Sequence, residues 1–332
     1  MGDKIPKVSV CIPTRNCARF LGQAVASAIG QSGQDLEVVI VDNCSTDNTE
    51  SLVREMCLHD NRIRYYCNDR DLGLIGNLNK CLEYARGEYI KYVLADDLLL
   101  PGCIGEMVRC LDAHPSVVLV TGGRLVTDEH GKPLSLRRYS AKPGIVSGHE
   151  VIQRCLIGKN YIGEPTAVMF RKRDAARGFR ADLAQLTDME MWFYLLEQGD
   201  LFNVPEHLCA IRRHTEQLTN VNVKSGALVE DNVNLFEEYH YRPYITQTHL
   251  SMGKHKLRMA YRVWMSRKHM STERRHFVLK HYSNRIIYYG LMPVVSVSLR
   301  LARMMQSVLI QWLYRHSPTG ATELRNQDVQ RL

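Results

Sequence analysis

The sequence predicts an α/β fold: a doubly wound, mostly parallel sheet flanked by helices, followed by a helical C-terminal region. Three observations carry this. Short β-branched runs alternate with segments of helical spacing from Val8 to Leu94. Polar clusters stand at the ends of successive runs. From about Asn222 the strand signals vanish, and the chain reads as helices with few glycines.

Each element has its own signature. Val8–Ile12, closed by Pro13, reads as a buried strand, and Pro13-Thr14-Arg15-Asn16 makes the turn. Ala18 to Ile29 has helical spacing, with Phe20, Leu21, Val25, Ala28 and Ile29 inward. Leu36–Val41 is a second buried strand ending at Asp42-Asn43, and Ser45-Thr46-Asp47 supplies the N-cap of a helix through about Cys57. Ile63–Tyr66 is a third strand, followed by a polar loop and a helix from about Ile75 to Ala85, ended by Gly87. The next strand runs from Gly87 into Asp96-Asp97 and an apolar turn with Pro101. Pro101 to Ala113 then reads as a helix, Val117 to Val126 as a strand, Thr127 to Pro133 as a hairpin turn, and Ala167–Phe170 as a strand. Leu186 to Leu196 is an amphipathic helix with Met189, Trp192, Phe193 and Leu196 as its core stripe.

At 332 residues, 45% hydrophobic and 23% charged, the chain buries a full core. Its ten cysteines form no CxxC pair and no framework spacing, and Met1 to Pro6 runs straight into a strand without a signal peptide. Both point to a reducing, cytoplasmic compartment. The net charge of +8 is uneven: between Leu250 and His316 thirteen Lys and Arg face one acid, Glu273. That asymmetry suggests a polyanionic partner, a membrane surface or a nucleic acid. The absence of GxGxxG after the first strand and of GxxxxGK[ST] argues against dinucleotide and P-loop sites.

The adjacent acids Asp96 and Asp97 repel each other at a strand end, so folding alone gives little reason for them. A divalent cation between them and a phosphorylated ligand would remove the repulsion; a helix start at Pro101 is the structural alternative. Parallel sheets bind ligands at the carboxyl ends of their strands. Pro13 to Asn16, Asp42-Asn43 and Asp96-Asp97 are therefore expected to converge on one crevice.

At these residues the chain resembles glycosyltransferase family 2, the inverting, sugar-nucleotide-dependent enzymes of GT-A fold. The likeness is carried by Val8 to Asn16, by VVIVDNCSTDNT at Val38 to Thr49, and by Asn68 to Gly73 through Gly87-Glu88-Tyr89-Ile90 to Asp96-Asp97. It spans about residues 6 to 215. The resemblance implies that Asp42 binds the base, and that Pro13, Thr14, Arg15 and Asn16 hold base and ribose, with Asn77 also on the nucleotide sugar. It gives Asp96 the ribose or the metal's water shell, and Asp97 the ligation of Mn²⁺ or Mg²⁺ on the diphosphate. Asp188, in Leu186-Thr187-Asp188-Met189-Glu190-Met191-Trp192, matches the family's catalytic base, with Glu190 a supporting or salt-bridge group. His214, in the Ile211 to Thr219 loop after the last core strand, is implied on the metal or diphosphate, with Arg212 or Arg213 toward phosphate. Glu164 and Trp192 would flank the acceptor. The chain departs from the family pattern at Leu78, Leu94-Ala95 and Thr187.

The expected organisation is a catalytic domain over 1–220, with a nucleotide-sugar half (about 6–125) and an acceptor half (about 126–220). A basic helical region follows over 221–316, then a disordered tail over 317–332. Val294, Val297, Leu301, Met304, Met305, Val308 and Trp312 form one stripe, with Arg300, Arg303 and Arg315 on other faces. Such a helix lies in a membrane interface or packs on the catalytic domain. The expected activity is inverting transfer from a UDP- or dTDP-sugar to a saccharide hydroxyl, lipid-linked on the conjunction of the site motifs with the basic amphipathic tail; the resemblance implies a setting in surface-polysaccharide assembly, at the cytoplasmic face of the inner membrane. No nucleic-acid partner is expected, since the tail lacks a reader motif. The alternative is a non-catalytic sugar-nucleotide or carbohydrate-binding module on the same fold.

Overall fold

A computed structural model of the chain describes residues 5–282, apart from 32, 34, 216, 247 and 269. The first half alternates as expected: β1 (Val8–Thr14), α1 (Ala18–Ile29), β2 (Leu36–Asp42), α2 (Thr49–His59), β3 (Ile63–Cys67), α3 (Gly73–Tyr84) and β4 (Tyr89–Tyr92). Then come β5 (Leu98–Leu99), α4 (Cys103–Ala113), β6 (Val117–Asp128), β7 (Pro133–Arg137), β8 (Gly144–Val146) and α5 (Gly148–Ile157). β9 (Val168–Arg171), α6 (Thr187–Leu196) and β10 (Asp200–Arg213) close the sheet, and α7 (Leu218–Ser225), α8 (Ala227–Tyr239), α9 (His249–Ser266) and α10 (Thr272–Tyr282) follow.

The sheet runs in the order β3-β2-β1-β4-β9-β6-β10-β5, with β7 on β6 and β8 on β10. β1 to β4 are mutually parallel, and β10 is parallel to β6. β9 runs antiparallel between β4 and β6, so the long strands on either side of it share one direction. The sheet is mixed and mostly parallel. β1 and β2 are buried along their whole length, as strands covered on both faces must be.

Boundaries moved where polar side chains intervene. The helix expected to be capped by Ser45-Thr46-Asp47 starts at Thr49, because the Asp47 carboxylate accepts from the Thr49 N–H (3.0 Å) and hydroxyl (2.6 Å). Its other oxygen takes the Ala18 N–H at 3.1 Å, so one aspartate ties the starts of α1 and α2 together. The helix expected from Pro101 begins at Cys103, after Gly102 at φ 78°. Residues 211–213, expected in a loop, are the last turn-ward residues of β10, paired to Val126–Asp128 of β6.

α8 to α10 share one continuous hydrophobic core with the sheet domain, through Val229, Leu235, Phe236, Tyr239, Met259 and Val263. The described part of the C-terminal region therefore packs on the catalytic half. The stripe from Val294 to Trp312 and the tail over 317–332 lie outside the described residues. Among the described residues no helix is long and apolar enough to cross a membrane. All ten cysteines are free thiols.

Candidate functional site

The carboxyl ends of β1 and β2 form a tightly bonded floor. Asp42, 1% exposed, accepts from the Ser45 N–H (2.9 Å) and hydroxyl (2.6 Å) on one oxygen and from the Tyr65 hydroxyl (2.9 Å) on the other. Asn16 sits in the left-handed region at φ 49°; its N–H donates to Ser45 Oγ and its Oδ1 accepts from the Thr46 N–H at 2.7 Å. Arg15 is exposed and pairs with Asp71 at 2.5 Å. Pro13 and Thr14 are buried at the end of β1, and the Thr14 hydroxyl has no hydrogen-bond partner among the described residues. A buried hydroxyl left unsatisfied costs about 1–3 kcal/mol, unless a ligand supplies the partner.

Asn77 is 2% exposed, and its amide donates to the Val41 carbonyl at 2.9 Å while accepting from Asn68 at 3.0 Å. It fastens α3 to the strand ends. Its expected contact with the nucleotide sugar is therefore corrected to a structural one, because its polar atoms are spent on the backbone.

The two adjacent acids have separate surroundings. Asp97 is 1% exposed; one oxygen takes the Thr166 hydroxyl (2.6 Å) and the other the Arg212 N–H (3.0 Å). Burial, and then the charge of Asp96, raise its pKa well above the ordinary carboxylate range. Asp96 lies toward the open end: its Oδ2 is 3.0 Å from His214 Nε2 and accepts from Gln217 at 2.9 Å. Access thus differs between the two acids: Asp97, expected as the metal ligand, is enclosed, and Asp96 lies on the more open side. The Asp96 carboxylate and the His214 imidazole form a donor pair suited to Mn²⁺. Among the described residues no group of three His, Cys, Asp or Glu comes together. Phe20 backs this pair, its ring 5.2 Å from that of His214 and 4.4 Å beneath the Arg212 guanidinium.

Asp188 opens α6. Its Oδ1 accepts from the Met189 N–H (2.7 Å) and its Oδ2 from the Asn160 amide (3.3 Å). Loss of hydration pushes its pKa up to about 7, with the Glu164 charge adding to the rise and Arg124 opposing it. Glu164 is held by Arg213 (2.8 Å), Arg124 (3.2 Å) and Arg137 (3.7 Å). Burial works against its charge, yet these arginines keep its pKa below the ordinary value. Neighbouring residues at the end of β10 join the two clusters: Arg213 reaches Glu164, and His214 reaches Asp96.

Trp192 is fully buried, and its indole N–H donates to the Gly163 carbonyl at 3.0 Å. Its expected acceptor contact is corrected: it braces the loop that carries Glu164, from behind. Gly163, at φ 128°, has no room for a Cβ against the Arg124 guanidinium. Glu190 is a salt-bridge partner as expected, bidentate with Arg177 at 2.7 and 2.6 Å. The sequence reading missed Arg124, Asn160, Thr166 and Lys91. Lys91 is fully buried in β4, its ammonium on the Thr166 and Val168 carbonyls. A lysine inside an apolar strand run was the available signal, since burial demands partners.

A family model described as "Glycosyl transferase family 2" matches residues 9–179. An uncharacterised protein of Mycobacterium tuberculosis is 36% identical over 225 residues, covering 63% of this chain and 68% of its own. A GalNAc(5)-diNAcBac-PP-undecaprenol beta-1,3-glucosyltransferase of Campylobacter jejuni is 32% identical over 161 residues, 48% of this chain and 50% of its own. The solved mannosyltransferase PcManGT of Pyrobaculum calidifontis, in complex with GDP-Man and Mn²⁺, superposes with a TM-score of 0.59 at 18% identity, over 93% of this chain and 86% of that one. At that identity the likeness shows the fold alone, and the fold is the expected GT-A architecture.

Proposed function

The chain belongs to glycosyltransferase family 2, and on that premise we propose that it transfers a sugar, with inversion, from a nucleotide-diphosphate donor to a saccharide hydroxyl. The observation that carries the reading is that Arg213, the last residue of β10, holds Glu164, whose charge acts on Asp188, a carboxyl with pKa about 7, while the next residue, His214, meets Asp96. A base of that pKa is about half ionised at neutrality, where proton abstraction is most effective.

In this reading the Thr14 hydroxyl and the Asn16–Thr46 turn receive base and ribose, with Asp42 holding the turn in shape. Asp96 and His214 would hold Mn²⁺ or Mg²⁺, the remaining positions falling to diphosphate oxygens and water. Such an ion neutralises charge developing on the leaving diphosphate. Arg212, its backbone on Asp97 and its guanidinium on Gln23 and Phe20, keeps the end of β10 in register. Asp188 takes the acceptor proton, and the Asn160 amide orients its second oxygen. Glu164 stays charged among three arginines, and by repulsion keeps Asp188 basic.

The acceptor is lipid-linked in this proposal, supported by the acceptor named for the Campylobacter relative, and the setting is surface-polysaccharide assembly. The basic stretch from Lys254 to Arg315 would hold the enzyme peripherally on the anionic cytoplasmic face of the membrane. Donor turnover measured with and without Mn²⁺, for the wild type and Asp188→Asn, tests the core of this. Metal-stimulated turnover lost in Asp188→Asn supports it; nucleotide-sugar binding with no turnover in the wild type would make the chain a binding module.

A further inference from the structure

A cavity of about 670 Å³ lies between α5 and α9, beside the loop that carries Asn160. Arg154, Arg258, Tyr161 and the stacked pair His149–Tyr244 line it, the two rings 4.0 Å apart and 2° from parallel. Arg154 lies over both Tyr139 (4.4 Å) and Tyr161 (4.6 Å) and donates to the Tyr139 carbonyl at 3.3 Å. Arg258 donates to the Ile157 carbonyl, the C-terminal end of α5. Among the described residues neither guanidinium is paired with a carboxylate, and Glu150 is the one acid in the lining. One turn further along α9, Arg262 is bonded to the neutral Asn232 amide oxygen. Burial, and then repulsion from Arg258, lower the Arg262 pKa to about 9.

Two arginines and a single acid, Glu150, leave the lining with net positive charge, which an anion completes. Guanidinium groups suit phosphate because their planar donors engage two oxygens at once. The parallel rings offer an apolar face beside them. Position supplies the function: Gly158 and Tyr161 line the cavity and bracket Asn160, whose amide touches the Asp188 carboxylate. From Tyr161 to Asn160 is one residue, so cavity and base are separated by a distance on the order of 10 Å.

We propose that this cavity binds the phosphate or diphosphate group through which the acceptor saccharide is joined to its carrier, while a hydroxyl of that saccharide sits at Asp188. This rests on the reading of Asp188 as the base. It also makes the acceptor short, with the transfer made onto a sugar close to the phosphate.

Farnesyl diphosphate, a soluble prenyl diphosphate, is the probe, titrated calorimetrically into the full chain in EDTA. The expected result is binding that weakens at least tenfold in Arg154→Gln/Arg258→Gln, with the thermal shift given by UDP, dTDP or GDP plus Mn²⁺ unchanged. Arg154→Gln alone, on the exposed side of α5, shifts affinity in the same direction and guards against a folding effect at Arg258. Inorganic diphosphate binding with the same arginine dependence supports recognition of the phosphate itself. Equal binding of farnesol, unchanged affinity in the double variant, or displacement of farnesyl diphosphate by the nucleotide would each overturn the proposal. Asp188→Asn keeps farnesyl diphosphate binding in this scheme, so failure of the base assignment reads out separately in turnover.

Discussion

The Asp231 carboxylate on α8 accepts from the backbone N–H of Leu186 at 2.9 Å, and the same oxygen takes the Gln185 N–H at 2.5 Å. A residue from the C-terminal helices therefore caps the helix whose first turn carries Asp188. Tyr239, two turns further along α8, places its hydroxyl 3.5 Å from Glu190 on the same helix. The C-terminal region thus helps to fix the helix that carries Asp188, the base proposed above, rather than being only an appendage to the sheet.

Asp231→Ala is expected to cost about 1–2 kcal/mol of stability, the usual range for a lost helix cap. Because Asp231 is buried against the backbone leading into α6, its effect should fall on kcat, with the donor KM little changed. Asp231→Asn retains an acceptor oxygen and should recover most of both losses. Steady-state kinetics and urea unfolding of the three proteins check this; a donor KM raised in step with any fall in kcat would place Asp231 elsewhere.

Asp188 should set the acid limb of the pH–rate profile. With its carboxyl at about 7, kcat is expected to rise with pH through neutrality and level off above it. Asp188→Asn should lower kcat by about 10²–10⁴-fold and abolish that limb. The stability sign is the reverse of the activity sign. A carboxyl raised from 3.8 to about 7 binds its proton more tightly when folded, so its contribution to stability declines as pH rises through this window. The melting temperature of Asp188→Asn relative to wild type should therefore climb between pH 5 and 8, a relief of about 1–2 kcal/mol for removing a partly buried charge.

Much of the frame was legible in the sequence because its signals are local. α1 falls where its spacing put it, and β1 to β3 fall within two residues, since β-branched runs between Pro, Gly and Asn clusters admit few other readings. The meeting of Thr14 and Asp42 at the ends of β1 and β2 was legible too, because a parallel sheet brings strand ends together. Long-range partnerships were not. Asn77 looks like a ligand-binding amide in one dimension, and only the Val41 carbonyl, 36 residues away, reveals its role. Trp192 reads as core stripe and acceptor wall alike until its indole meets Gly163. Asp231 carries no local signal at all. The roles within Asp96-Asp97 could not be divided from sequence, because accessibility depends on Thr166 and Arg212, both distant in the chain.

That division makes a prediction about metal. Asp96→Asn and His214→Ala should each raise the Mn²⁺ concentration for half-maximal activity by about tenfold or more, as loss of a charged or imidazole ligand does. Asp97→Asn should leave that concentration nearly unchanged, since the carboxylate is enclosed by Thr166 and the Arg212 backbone. Metal titration of the three variants checks the order. A shift confined to Asp97→Asn would restore the assignment expected from resemblance.

Thr166 gives the most direct test of how the buried pair is held. Its hydroxyl donates to Asp97 at 2.6 Å and accepts the Leu94 N–H at 3.0 Å, while its carbonyl receives the Lys91 ammonium. Thr166→Val preserves shape but strands a carboxyl and an amide, at about 2–4 kcal/mol for two unsatisfied buried groups. Thr166→Ser keeps both bonds and should cost far less. The loss should also depend on pH. Asp97 has a raised folded pKa, so its contribution is fullest at low pH and is lost as pH rises through that value. The Thr166 hydroxyl favours the charged form, so removing it should hurt most at high pH, where the proton must leave, and least in acid. Urea unfolding of Thr166→Val and Thr166→Ser, followed across the whole pH range in which the wild type stays folded, reads this, and a larger loss in acid than in alkali would overturn it.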